Sequence, residues 1–318
     1  MLVNGKWTED WQPVQAKDEK GRFVRQTSSF RHWITKDGSA GPSGDSGFKA
    51  EAGRYHLYVA YICPWASRAL MVRALKGLED IISVSVVNPV LGNKGWTFGG
   101  AKAATEDHLH GSTHLHQLYT LADDDFTGRA TVPVLWDKKL DTMVNNESAD
   151  IIRMFNDAFN DITGNTLNLY PSALQTEIDS WAEKIYHNLN NGVYKAGFAT
   201  TQFAYEEAYN GVFNTLDELE VMLSDGRQYL LGDQITELDI RTFVTLVRFD
   251  AAYVGVFKCN RNTIEQMPYL HRYLTAMYKH EDIAKTVNIE HIKQGYYSIK
   301  TLNPNGIVPA GPDLAFMK

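Results

Sequence analysis

The sequence predicts a mixed α/β domain followed by an all-α domain, with irregular extensions at both ends. Three observations carry this prediction. A strand, a helix and a second strand follow one another between Tyr55 and Val87. Two more strands and a helix start at Thr131, and beyond Pro171 the periodic segments repeat at the helical spacing.

Size and composition set the frame. At 318 residues the chain has room for two domains, and 44% hydrophobic with 22% charged residues is the make-up of a soluble globular protein. Its 31 basic and 38 acidic side chains give a net charge of −7, so nothing electrostatic favours nucleic acid or an anionic membrane as partner. No apolar run has the length to span a bilayer, and the first residues lack the apolar core of a signal peptide. Two cysteines do not make a disulfide framework, so a reducing, cytoplasmic setting is expected.

Residues 1–50 are rich in Gly, Ser, Lys and Asp and read as an extension, with Trp7, Trp11, Phe30 and Trp33 as aromatic anchors. The α/β domain, 51–160, begins with a strand at Tyr55–Ala60. Cys63-Pro64 then opens a helix whose Ala66, Leu70, Ala74 and Leu78 form one stripe in steps of four, with Gly77 weakening or stopping its end. Ile82–Val87 alternates Ile and Val with Ser as a second strand, completing a βαβ unit with a right-handed crossover. Residues 88–130 lack strong periodicity and form an insertion. Thr131–Trp136 is a strand, Asp137-Lys138-Lys139 a hairpin turn, and Thr142–Val144 the next strand. Ser148 then caps a helix carrying Ile151, Ile152, Phe155 and Phe159.

In the helical domain, 161–290, Leu174–Leu189 and Ala204–Leu223 are long and amphipathic. Thr236-Glu237-Leu238-Asp239 is a capping box with Asp at its fourth position, and Ile235 and Ile240 suit the hydrophobic staple around it. Later helices carry Phe243 and Val247, then Leu270, Leu274 and Met277, and 291–318 is a C-terminal tail. The order βαβ…ββα is that of a thioredoxin-like domain. With the all-α domain behind it, the whole resembles the architecture of the glutathione transferases.

Cys63 is the central candidate for chemistry. Pro64 suits the first helical position, where its missing N–H costs nothing, and this puts Cys63 at the N-cap, facing the positive end of the helix dipole. A thiolate is stabilised there, so the thiol pKa is expected below that of a free cysteine. Ala66 stands where a resolving cysteine would be, so an external thiol must resolve any disulfide made by Cys63, and glutathione is the obvious one. Cys259 has no such context and is expected to be structural. Val132-Pro133 is the second feature, with an expected cis bond and a backbone able to pair with the cysteinyl segment of glutathione. Glu147-Ser148 is the third: a serine at a helix start can bind a carboxylate and Glu147 an ammonium, which suits the γ-glutamyl end of glutathione.

These segments closely resemble the Xi-class glutathione transferases, the glutathionyl-hydroquinone reductases, and most nearly the bacterial ones. The resemblance spans essentially the whole chain. It is carried by Arg54-Tyr55-His56-Leu57-Tyr58-Val59, Cys63-Pro64-Trp65-Ala66, Gly95-Trp96-Thr97-Phe98, Thr131-Val132-Pro133-Val134, Asn146-Glu147-Ser148-Ala149 and Asn191-Gly192-Val193-Tyr194-Lys195-Ala196-Gly197-Phe198. It implies that Cys63 is the nucleophile, that Trp96, Arg129, Val132, Glu147 and Ser148 hold glutathione, and that Tyr194, Tyr253 and Tyr296 line the site for the aromatic group. Glutathione would be a co-substrate, aromatic glutathione conjugates the partners, no metal would be needed, and the chain would form a homodimer. An Omega-like thioltransferase or dehydroascorbate reductase uses the same thiol, and a non-catalytic adaptor of this fold is the rival from another class. His108, His110, His114 and His116 hold four of the ten histidines on the insertion; the expectation there is a polar loop, with a metal site the lesser alternative.

Overall fold

The computed structural model describes residues 1–8 and 17–318, so Trp11 lies outside the described residues. The chain divides into two compact units. The first comprises residues up to 12 together with Gln26–Leu167, the second Pro13–Arg25 with Asn168–Lys318.

The first unit is built on a four-stranded sheet. Two short strands, β1 (Leu2–Val3) and β2 (Lys6–Trp7), pair with each other outside it. The main sheet has the order β4-β3-β5-β6, from β3 (Tyr55–Val59), β4 (Ile82–Val86), β5 (Val134–Asp137) and β6 (Thr142–Asn145). β4 runs parallel to β3, while β5 is antiparallel to both β3 and β6. All five residues of β3 are buried, as expected of a central strand covered on both faces. Helix α1 (Pro64–Leu75) makes the parallel crossover. It ends in a Schellman motif: Gly77 has φ +65°, Leu78 N–H donates to Arg73 O and Gly77 N–H to Ala74 O. Gly77 therefore stops the helix rather than weakening it.

Strand β5 starts at Val134, three residues later than Thr131, because Pro133 has no N–H to give a ladder. Most of 88–130 is loop joined by single bridges, but it holds helix α2 (His116–Ala122), whose Leu118 and Tyr119 are buried. Helix α3 (Ser148–Asp157) follows β6, and a single-turn α4 (Asn160–Thr163) ends on Gly164. The first fifty residues are anchored by the expected aromatics in the first unit: Trp7 stacks on His116, Phe30 packs on Tyr119 and Phe126, and Trp33 donates to Ser43.

The second unit is helical: α5 (Gln175–Ile185), α6 (Gly192–Gly197), α7 (Gln202–Met222), α8 (Glu237–Arg248), α9 (Pro268–Lys279), α10 (Glu281–Ala284) and α11 (Ile289–Tyr297). The helix expected over 174–189 changes character at its end, where Tyr186–Asn190 is a π-helical turn. A second π-turn, Phe249–Tyr253, extends α8. The capping box at Thr236 is present, and Ile235 and Ile240 are both buried beside it. Residues 303–314 contain no helix, and Phe316 fixes the tail by packing on Tyr278.

Candidate active-site residues

Cys63 occupies the N-cap of α1 with Pro64 at the first helical position. Its backbone is extended there (φ −75°, ψ 117°), and its thiol makes no side-chain capping bond to the helix. The sulfur instead lies 3.5 Å from the carbonyl oxygen of Val132, to which the thiol donates. Loop and helix tip thus meet at the Cys63 sulfur. The Val132-Pro133 bond is cis, as expected from the sequence. Cys259 is fully buried, and burial pushes its thiol up to about 12, which leaves it unreactive at neutral pH.

The second cluster forms where β6 meets α3. Here one assignment changes: Glu147, not Ser148, is the N-cap, and its carboxylate accepts from Ala149 N–H at 3.1 Å. Ser148 is the first helical residue, with its hydroxyl 3.5 Å from Glu147 Oε1. The other oxygen of Glu147 accepts from the Ser28 hydroxyl at 3.0 Å. Ser28 escaped sequence analysis, since it lies 119 residues away in an irregular segment and carries no local signal. Among the described residues, the peptide N–H groups of Val132 and Ser148 make no hydrogen bond, although both residues are buried. Peptide donors without a protein partner are open to an acceptor from outside the chain.

Trp96 and Arg129 stand on the insertion, each partly exposed. The Trp96 carbonyl accepts from Leu115 N–H, which ties its loop to the start of α2, and Arg129 N–H donates to the side chain of Gln26.

The three tyrosines meet in the second unit. Tyr194 on α6 and Tyr296 on α11 have hydroxyls 2.5 Å apart, and the Tyr253 hydroxyl lies 2.9 Å from that of Tyr296. Both π-turns serve this cluster. One immediately precedes α6, and the other ends on Tyr253. Phe257 packs against all three rings. Burial, reinforced by the neighbouring Tyr194 hydroxyl, holds Tyr253 and Tyr296 well above the ordinary phenol range. Their hydroxyls therefore stay protonated and can donate hydrogen bonds.

Three of the four histidines of the insertion, His110, His114 and His116, pack against other rings, and His108 is exposed. His116 stacks on Trp7 and is pushed down to about 4 by burial, and His110 sits edge-on to Trp136 beside Asp141. Among the described residues no group of three metal-ligating side chains converges. No helix of the described residues is long and apolar enough to cross a membrane.

Comparison with known proteins places the fold in a family. Residues 62–158 match the family "Glutathione S-transferase, N-terminal domain" and residues 202–276 the family "Glutathione S-transferase, C-terminal domain". The glutathionyl-hydroquinone reductase YqjG of Escherichia coli is 51% identical over 98% of this chain and 95% of its own length. Its glutathione-bound structure superposes with a TM-score of 0.91, covering 100% of this chain and 97% of that one. The glutathionyl-hydroquinone reductase PcpF of Sphingobium chlorophenolicum is 48% identical over 98% of this chain and 96% of its own. The glutathione transferase Xi of Phanerochaete chrysosporium superposes with a TM-score of 0.89 at 48% identity, over 94% of this chain and 98% of that one.

Proposed function

The chain belongs to the Xi-class glutathione transferases, the glutathionyl-hydroquinone reductases, and from that premise we propose that Cys63 performs the reduction through a mixed disulfide with glutathione. The reaction of the family is glutathione-dependent reduction of glutathionyl-hydroquinones, with glutathione as co-substrate. The observation that carries the assignment of the site is the convergence of Cys63 at a helix N-terminus with the Val132 backbone, 3.5 Å from its sulfur.

The chain offers complementary groups for glutathione. The free N–H of Val132 suits the cysteinyl carbonyl of an extended peptide. The N–H of Ser148, at the start of α3, and its hydroxyl, turned from its long 3.5 Å bond to Glu147, suit the γ-glutamyl carboxylate, and Glu147 suits its ammonium. Trp96 and Arg129 are proposed as further contacts, Arg129 through its guanidinium to a carboxylate.

In the first step the Cys63 thiolate attacks the sulfur of the conjugate. An S–S bond forms, the C–S bond breaks, and its electron pair stays on the ring carbon. A proton must reach that carbon. The hydroxyls of Tyr194, Tyr253 and Tyr296 form a hydrogen-bonded relay suited to supplying it, with Tyr194 and Tyr296 as the acid pair and Tyr253 binding the aromatic group. In the second step a glutathione thiolate attacks the mixed disulfide, giving oxidised glutathione and restoring the Cys63 thiolate. The proton released by that glutathione balances the one delivered to the ring.

Cys63→Ala is expected to abolish turnover of a glutathionyl-hydroquinone. Mass spectrometry of the wild-type protein after a single turnover without free glutathione should show one glutathione added at Cys63. Full turnover by the alanine variant would overturn the mechanism. A homodimer in the cytoplasm is the proposed working state, and sedimentation at twice the chain mass would establish the dimer.

A further inference from the structure

We propose that Tyr119 is a positioning residue for glutathione: its hydroxyl locks the two glutathione-binding loops of the first unit into one frame. The inference rests on the assignment of Val132, Glu147 and Ser148 to glutathione binding. Tyr119 belongs to the insertion helix α2 and is fully buried. Its hydroxyl donates to the carbonyl of Thr131 at 2.8 Å and receives the N–H of Thr131 at 3.1 Å. It also receives the side-chain amide of Asn146 at 3.2 Å. A phenol has one hydrogen to give and two lone pairs, so these contacts use its full capacity.

The residues it holds are significant by position. Thr131 immediately precedes Val132-Pro133, and Asn146 immediately precedes Glu147-Ser148. One loop leads into β5 and the other leaves β6, and they meet adjacent units of the tripeptide, the cysteinyl and the γ-glutamyl, so their spacing must match the spacing of those units. Asn146 also accepts from Phe30 N–H, and the Phe30 ring packs edge-on against Tyr119, which closes the brace from the extension side. The insertion thereby acquires a second role beside the contacts proposed for Trp96 and Arg129: through Tyr119 it supplies a strut behind the substrate. Side chains locked from behind in this way hold a binding geometry within tolerances that loops alone do not.

The test uses the full chain carrying Tyr119→Phe, which keeps the ring and removes only the strut. The measurements are KM for glutathione and kcat with a glutathionyl-hydroquinone, together with the rate of Cys63 alkylation by iodoacetamide. KM for glutathione is expected to rise roughly three- to ten-fold, with kcat and alkylation changed by less than about two-fold, the scale of one or two lost hydrogen bonds. An unchanged KM, or a fall in kcat and alkylation together with thermal stability, would assign Tyr119 to the core alone. Glu147→Gln separates the two claims. If it raises KM and Tyr119→Phe does not, the strut is wrong and the site stands. If neither raises it, the site assignment fails and the strut with it. Should Tyr119→Phe not fold, Asn146→Ala cuts the same link from the other side, and the same split between KM and kcat decides.

Discussion

His56 lies on the central strand β3 with both ring nitrogens engaged, Nδ1 by the Ser83 hydroxyl at 2.7 Å and Nε2 by the Ser85 hydroxyl at 3.0 Å. Burial pushes its pKa from 6.5 down to about 4, so the folded protein holds it neutral while the unfolded chain protonates it more readily. The sign follows. Between those values the unfolded state binds the extra proton, so this stabilisation is full above pH 6.5 and is lost as pH falls towards 4. Going from pH 7 to pH 5 should cost roughly 2 kcal/mol at this residue. His116 is depressed to a similar value and contributes in the same direction. Urea unfolding of the wild type should therefore weaken on acidification, and His56→Gln should flatten that slope by about half. A slope identical in wild type and variant would refute the assignment. Neither histidine touches the reacting sulfur, so this acid sensitivity belongs to the fold and not to turnover.

Helix α8 shows what an element can owe to a single carboxylate. Asp239 is buried, and it accepts from Leu230 N–H at 2.9 Å, Thr236 N–H at 2.7 Å, the Thr236 hydroxyl at 2.9 Å and the Tyr273 hydroxyl at 3.0 Å. One side chain starts α8, closes the loop before it and ties α9 to it. Asp239→Ala strands these donors in the core and should destabilise the second unit by about 3 kcal/mol or more, read as a lowered thermal midpoint. A loss below about 1 kcal/mol would mean that water or relaxation replaces the carboxylate. That motif was legible because capping is local: Thr236 and Asp239 lie three residues apart, and the pattern names its own geometry. Cys63-Pro64 was legible for the same reason. The sequence points to an N-cap of α3 one residue late, at Ser148, because serine is a favoured cap and glutamate, which caps Ala149 N–H here, is not. The π-turns at Tyr186–Asn190 and Phe249–Tyr253 were invisible, since the apolar spacing of their helices carries through them unbroken. Tyr119 was hidden because its partners are 12 and 27 residues away, a relation fixed by folding and not by period.

In the proposed mechanism the chemistry is divided between the two units of the molecule. The thiol, the free peptide donors of Val132 and Ser148 and the carboxylate of Glu147 all belong to the first unit, while the tyrosine hydroxyls belong to the second. This division makes the two steps separable. Tyr194→Phe/Tyr296→Phe removes the acid pair and leaves every proposed glutathione contact intact, and the rings still pack on Phe257. Formation of the Cys63–glutathione disulfide from a glutathionyl-hydroquinone should slow roughly 100-fold or more, the usual worth of a positioned proton donor. Release of that disulfide by free glutathione needs no proton delivered to carbon and should keep its rate within about three-fold. Rapid mixing distinguishes the outcomes, the first step by hydroquinone appearance and the second by oxidised glutathione after loading Cys63 with a glutathione disulfide. Equal slowing of both steps would give the tyrosines a structural part only. Slowing of the second step alone would move them to the thiol exchange. The expected asymmetry instead marks the second unit as the part that turns a general thiol-exchange site into one that cleaves an aromatic carbon–sulfur bond.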